Sequence, residues 1–113
     1  MAITRVKLSA STNGQAIGLT TLPVTIHTST TAANTSDEVH VWIANRTANA
    51  ATLSVHVGVT GIIFNMEVPG HSGPYLAVPG FFLASGLALY ANSNNSASDF
   101  YAYGFVNRLT TGA

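Results

Sequence analysis

The strongest constraint on the fold is a regular alternation of apolar and polar residues in short segments. Between Val39 and Ile43 every second residue is a branched aliphatic one, and the same pattern returns between Leu53 and Val59 after a polar loop. A period of two is typical of a β-strand that places one face on a core. No window keeps apolar residues at helical spacing over three turns. The sequence therefore predicts an all-β chain.

Turn signals rich in Ser, Asn, Gly and Pro separate seven or eight such segments. Strands are predicted at 3–9, 23–28, 38–44, 53–60, 62–68, 75–78, 87–91 and 99–109. This number of short strands is typical of an antiparallel β-sandwich or jelly-roll. With 113 residues and no internal repeat or linker, residues 1–113 are expected to form a single β-sandwich domain.

Two of these segments predict a hairpin around the loop at 45–50. The register pairs Val39 with Val57, so that one face is entirely aliphatic and His40 lies opposite His56 on the other face. The last segment, 99–109, is apolar on both faces. It is therefore expected to be central in a sheet or covered by another subunit.

The charge content predicts association with other subunits. Charged residues make up only 7% of the chain, and four basic residues balance four acidic ones, whereas a typical soluble domain has about 25%. A net charge near zero promotes association, and a surface of Ser, Thr, Asn and Ala suits burial against neighbours. Nucleic acid is not an expected partner, because the basic residues are few and scattered: Arg5, Lys7, Arg46 and Arg108.

Other sequence signals are absent. The chain has no cysteine, which excludes disulfides and Cys-ligated zinc. No apolar leader for secretion is visible. No apolar run approaches the roughly 20 residues of a membrane span, so no membrane association is expected.

Three histidines on predicted polar strand faces raise the question of a metal site. His27, His40 and His56 together could hold zinc or iron if a third strand lies beside the predicted pair. The favoured interpretation is a polar surface without metal, and no cofactor is expected. Facing imidazoles would also repel one another when protonated, near a pKa of about 6.5, so assembly is expected to weaken in mild acid.

The acidic residues do not indicate catalysis. Asp37 and Glu38 are adjacent and would point to opposite faces of a strand, and neither they nor Glu67 and Asp99 form a recognisable dyad. A nucleophile elbow of the form G-x-S-x-G is also missing. The sequence predicts a protein that is not an enzyme and has no catalytic residues.

Aromatic residues on outward-facing positions are candidates for contact. Trp42 shares a face with His40, and Tyr101 and Tyr103 lie on the last strand. Such residues are typical of subunit interfaces, although aromatic rings also stack on sugars. The predicted interface residues are Trp42, His40, His56, Tyr101 and Tyr103.

Three segments carry a resemblance to a known class of proteins: Asn45-Arg46-Thr47, the Val-Pro-Gly-rich stretch from Val78 to Leu87, and the closing stretch from Tyr103 to Arg108. Over residues 38–108 the chain resembles small virion structural proteins of tailed bacteriophages, in particular capsid decoration or cement proteins. The resemblance implies a non-enzymatic protein, often trimeric, that stabilises contacts between capsid subunits.

The same resemblance implies partners and a location. The partners would be further copies of the chain and the major capsid protein or other virion subunits. The location would be the virion, with the capsid exterior favoured, after synthesis in the host cytoplasm. The alternatives are a neck, tail or baseplate component, a small carbohydrate-binding module, or a cupin-like metalloprotein.

Overall fold

The computed structural model describes residues 2–58, 62–94 and 100–111. In these ranges the chain contains strands and no helix, which confirms the all-β prediction. The strands are β1 (Ala2–Lys7), β2 (Ile17–Gly18), β3 (Val24–Thr28), β4 (Thr35–Asn45), β5 (Ala51–Val57), β6 (Ile62–Val68), β7 (Ser72–Leu83), β8 (Ala88–Ser93) and β9 (Phe100–Thr110).

The strands form two antiparallel sheets packed as a β-sandwich, as the sequence predicted. The five-stranded sheet has the order β1-β9-β4-β7, and the short β2 pairs with β9 beyond the end of β1. The four-stranded sheet has the order β3-β8-β5-β6. The apolar strand β9 is central in its sheet. Its composition predicted either this position or cover by another subunit.

The core between the sheets is built by the alternating aliphatic residues. Val39, Val41 and Ile43 of β4 and Leu53 and Val55 of β5 are all buried. Because side chains in a strand alternate between its two faces, the residues between them point away from the core. The alternation in the sequence therefore identified the buried face correctly.

The predicted hairpin between β4 and β5 is wrong. The two strands belong to different sheets, and the chain crosses from one sheet to the other between them. His40 pairs with Phe105 and Pro79, whereas His56 pairs with Tyr90 in the other sheet. Alternation shows which residues of a strand face the core. It does not show whether two such strands are neighbours in one sheet or lie in the two facing sheets of a sandwich, because both arrangements bury every second residue.

The side chain of Asn45 anchors this crossing. Its Nδ2 donates to the carbonyl oxygens of Asn49 (3.0 Å), Val68 (3.1 Å) and Pro69 (3.2 Å), and its Oδ1 accepts from the backbone N–H of Thr47 at 2.9 Å. Asn45 is only 1% exposed. A buried amide that satisfies three carbonyls ties the loop after β4 to the turn between β6 and β7.

Strand β7 is longer than predicted. The sequence placed a strand at 75–78 that ended before Pro79, but β7 continues to Leu83. Proline is tolerated because β7 is an edge strand, where one side of the backbone has no partner. The register shift opposite Val39 and His40 leaves Gly80, with φ +105°, as the extra residue of a bulge.

Candidate functional site

The outer face of the five-stranded sheet gathers most of the predicted interface residues. The β4–β9 register pairs His40 with Phe105, Trp42 with Tyr103 and Ala44 with Tyr101. Residues paired across antiparallel strands project from the same side of the sheet. We call this surface the aromatic face; its members include Ile3, Arg5, Lys7, Glu38, His40, Trp42, Leu76, Phe82, Tyr101, Tyr103, Phe105 and Asn107.

The centre of the aromatic face is a stack of rings across neighbouring strands. The His40 and Phe105 centroids are 5.0 Å apart with an interplanar angle of 21°, and Trp42 lies 5.7 Å from Phe105. The guanidinium carbon of Arg5 lies 4.4 Å from the Phe105 centroid. Arg5 on β1 and His40 on β4 therefore both contact the Phe105 ring from the two strands that flank β9.

Hydrogen bonds fix the polar groups beside this stack. Glu38 Oε1 accepts from His40 Nε2 at 2.7 Å and from Asn107 Nδ2 at 3.1 Å, and Asn107 Oδ1 accepts from Arg5 Nε at 3.4 Å. The hydrogen bond from His40, followed by that from Asn107, lowers the pKa of Glu38 from its usual value. The carboxylate is therefore held as an acceptor in a network of the chain's own side chains.

Large apolar side chains surround the stack and remain exposed. Ile3 and Phe82 are each 64% exposed and Leu76 is 45% exposed. Arg5, Asn107 and Glu38 lie in the row between Ile3 and the stack, so the face combines exposed apolar side chains with a few polar groups. Surfaces of this kind usually mark contact sites.

The outer face of the four-stranded sheet is polar by comparison. Ser54 Oγ donates to Asn65 Oδ1 at 2.7 Å, and His56 Nε2 lies 2.8 Å from Asn92 Oδ1. His56 thus lies on the opposite side of the molecule from His40. The predicted His40–His56 pair and its repulsion in mild acid are therefore wrong, and His56 does not share a surface with Trp42.

The three histidines are not brought together. His27 lies buried between the sheets, whereas His40 and His56 lie on the two opposite outer faces. In the described part of the chain no group of three or more His, Cys, Asp or Glu residues is placed to hold a metal ion. The hypothesis of a metal site at these three residues is wrong.

His27 belongs instead to a buried ionic cluster that the sequence analysis missed. Asp37 Oδ2 accepts from His27 Nε2 at 2.7 Å and from the Thr30 N–H at 3.0 Å, and Asp37 Oδ1 accepts from Arg108 Nε at 2.8 Å. Asp37 is fully buried and His27 is 1% exposed. The β3–β8 register shifts between Thr25 and His27, and this bulge turns His27 inward from its predicted polar face.

The geometry of this cluster indicates a structural role. His27 Nδ1 accepts from the Ser9 N–H at 3.0 Å, so the ring proton resides on Nε2 and faces Asp37. Burial alone raises the pKa of Asp37, but the hydrogen bonds from Arg108 and His27 outweigh it and lower the pKa below the usual value. Both imidazole nitrogens of His27 are therefore occupied by hydrogen bonds within the chain.

One shallow depression lies beside the crossing from β4 to β5. Asn45, Arg46, His71, Ser72 and Gly73 line it. Its deepest polar group, the Asn45 side chain, is fully engaged with backbone groups. The depression is therefore the place where the loop after β4 meets the turn before β7.

Asp99, considered above as a candidate acid, lies outside the described residues. No helix in the described ranges is long and apolar enough to cross a membrane. Compared with protein-family models, curated proteins and solved structures, the chain matches none of them.

Proposed function

We propose that this chain is a non-enzymatic structural subunit that binds neighbouring subunits through the aromatic face. The observation that carries the proposal is the difference between the two outer faces of the sandwich. One presents stacked rings within a rim of exposed Ile3, Leu76 and Phe82, and the other presents hydrogen-bonded polar side chains.

The size and composition of the aromatic face suit a protein interface. Four strands about 4.8 Å apart and about ten residues long cover roughly 600 Å², which is close to the roughly 800 Å² per partner of a standard interface. Aromatic residues and Arg are enriched at the centres of interfaces. The carboxylate of Glu38 is already hydrogen-bonded to His40 and Asn107, which lowers the free-energy cost of removing it from water.

The narrower proposal is a capsid decoration or cement protein of a tailed bacteriophage, bound to the capsid exterior. It rests on the resemblance described above, and two of the resembling segments contribute Phe82 and Phe105 to the aromatic face. Binding only to the assembled lattice would stabilise the shell by mass action without any chemical step. A neck, tail or baseplate position uses the same kind of contact and is the alternative location.

A carbohydrate-binding module is the second candidate function. Sugars stack on the faces of aromatic rings, and Trp42, Tyr101 and Tyr103 project from the same face of the sheet. A glycan array separates the candidates, because binding to a defined glycan would support the module and not the structural subunit.

Sedimentation velocity tests the proposed contact surface. Trp42→Ala should shift the oligomer of the native chain to smaller species, because it removes the largest aromatic side chain of the aromatic face. Tyr90→Ala is the matched control, since Tyr90 lies on the polar outer face opposite His56, and should sediment like the native chain. A folded Trp42→Ala variant that associates as strongly as the native chain would overturn the proposal.

Mass spectrometry of purified phage particles from the source tests the virion role. The chain should be present in a fixed ratio to the major capsid protein. Its presence in tails but not in isolated capsids would support the alternative location. Its absence from all particles would contradict the virion role and leave the contact surface to the sedimentation test.

A further inference from the structure

Strand β6 (Ile62–Val68) is the least protected edge of the two sheets. Among the described residues it pairs with β5 on one side only, and its sequence Ile-Ile-Phe-Asn-Met-Glu-Val contains no Pro, Gly, Lys or Arg. An edge strand carries a row of backbone N–H and C=O groups that can pair with another strand. Most proteins therefore block such edges.

The other edges carry the usual blocking features, apart from β2, which is only two residues long. β7 contains Pro74 and Pro79 and has a bulge at Gly80. β1 carries the cations Arg5 and Lys7. β3 is only five residues long and contains a bulge at Ile26. β6 also has a register shift, which leaves Ile63 as an extra residue opposite Val55 and His56. The rest of the strand, from Phe64 to Val68, carries none of these features.

Side chains on both faces of β6 are incompletely buried. Ile62 and Ile63 are 55% and 49% exposed. On the core side, Phe64 and Met66 contact the core but remain partly exposed, because no strand follows β6 in the sheet. A further strand beside β6 would remove apolar surface from water on both faces.

We propose that β6 pairs in antiparallel register with β6 of a second copy of the chain, around a two-fold axis at Asn65. In this register Asn65 meets its own copy and Phe64 meets Met66, whereas Glu67 and Val68 lie opposite the bulged start of the strand at Ile63 and Ile62. Paired residues face the same side, so Phe64 and Met66 of the two copies extend both cores. The pairing joins the two four-stranded sheets into one eight-stranded sheet.

The charges of the strand are compatible with this register. Glu67 is the only ionisable residue of β6, and it opposes Ile63 and not its own copy, so no like charges meet. The contact leaves the aromatic face free and does not depend on the proposed function. It predicts a dimer, where the resemblance to decoration proteins implies a trimer.

Disulfide cross-linking tests both the contact and its register, because the chain has no cysteine of its own. Asn65→Cys places two thiols directly opposite one another, within the Cα separation of about 4.4 to 6.8 Å that a disulfide needs. Under mild oxidation this variant should form a covalent dimer. Glu67→Cys is the control: its two thiols lie about 13 Å apart in this register, so that variant should remain uncross-linked.

A second variant covers the case in which Asn65→Cys disturbs the strand. Asn65→Lys sets two ammonium groups opposite each other at the two-fold axis, and should lower the dimer fraction in sedimentation. Thr28→Lys, exposed on the opposite edge of the same sheet, should not. Equal cross-linking at 65 and 67, or an Asn65→Lys variant that dimerises like the native chain, would overturn the β6 contact.

The outcomes for the two proposed surfaces are separable. Cross-linking through Asn65→Cys that persists in combination with Trp42→Ala supports the β6 contact whatever the aromatic face binds. Loss of association in Trp42→Ala without any cross-linking at 65 overturns the β6 contact and leaves the proposed function standing.

Discussion

At the scale of single residues, Asp37 is the point on which the interior hydrogen bonds converge. Its fully buried carboxylate accepts from His27, Thr30 and Arg108. A buried carboxylate is stable only when such donors replace its water. Although only 7% of the residues are charged, one of them, Asp37, is buried in this cluster. The cluster connects β3, β4 and β9.

Replacement of Asp37 tests how much this cluster contributes to the free energy of unfolding. Asp37→Asn removes the buried charge that accepts from His27 and Arg108 and should lower the free energy of unfolding by roughly 1 to 3 kcal/mol, since hydrogen bonds to a charged group are lost while the partly exposed Arg108 regains water. Glu38→Gln, one position along on the exposed side, should leave the free energy of unfolding nearly unchanged. Urea unfolding of the two variants measures the difference, and equal values would contradict the role given to Asp37.

The lowered pKa of Asp37 also predicts the acid sensitivity of the fold. Its folded pKa lies below the ordinary value of 3.8, so the unfolded chain binds a proton more readily than the folded one. The stabilisation is therefore present above about pH 4 and is lost as the pH falls through the folded pKa. Thermal unfolding should show Tm decreasing over this range, and Asp37→Asn should flatten the decrease; a profile unchanged by Asp37→Asn would refute this.

At the scale of elements, the close approach of β9 to β4 depends on one glycine. A Cβ built on Gly104 would lie 2.0 Å from the His40 carbonyl oxygen and 3.0 Å from the His40 carbonyl carbon. No side chain other than hydrogen fits there, because the obstructing atoms belong to the backbone. Gly104 therefore sets the spacing at which His40 and Phe105 stack on the aromatic face.

Two glycine substitutions test this spacing. Gly104→Ala must displace β9 from β4 and should destabilise the protein by roughly 3 kcal/mol or more, as overpacking against a rigid backbone does. Gly18→Ala meets only the Tyr101 ring at 3.9 Å, an ordinary contact, and should be nearly neutral. Chemical unfolding monitored by circular dichroism gives both values, and a neutral Gly104→Ala would show that the two strands are free to separate.

The elements also show what the sequence could and could not predict. Alternation predicted the strands and their buried faces, because burial of one face is a local property of the pattern. It could not predict that β4 and β5 lie in different sheets, since that depends on the contacts of Asn45 with Val68 and Pro69, more than 20 residues away.

The same limit applies to the candidate site. Trp42, His40, Tyr101 and Tyr103 were predicted as contact residues, and all four project from one face; whether they form an interface stays a prediction. Phe105 and Arg5 were missed as members of this face because cross-strand neighbours follow only from the register. His27 was misplaced because a one-residue bulge reverses its direction and leaves no mark in the sequence.

At the scale of the whole molecule, the sandwich has two unlike surfaces. The four-stranded sheet presents hydrogen-bonded polar side chains to water and exposes Ile62 and Ile63 only at its β6 edge, whereas the five-stranded sheet presents rings and exposed aliphatic side chains. The chain as a whole has few charged groups that would keep molecules apart. A protein built in this way is suited to lie with its aromatic face against a neighbour and its polar face in solvent.

The only tryptophan of the chain lies on the aromatic face, so its fluorescence reports directly on whether that face becomes covered. Acrylamide quenching of Trp42 should decrease, and its emission should shift to shorter wavelength, as the chain is concentrated into its oligomer. Quenching that stays constant while sedimentation shows the chain associating would mean that the aromatic face remains in water, and would contradict its role as the contact surface.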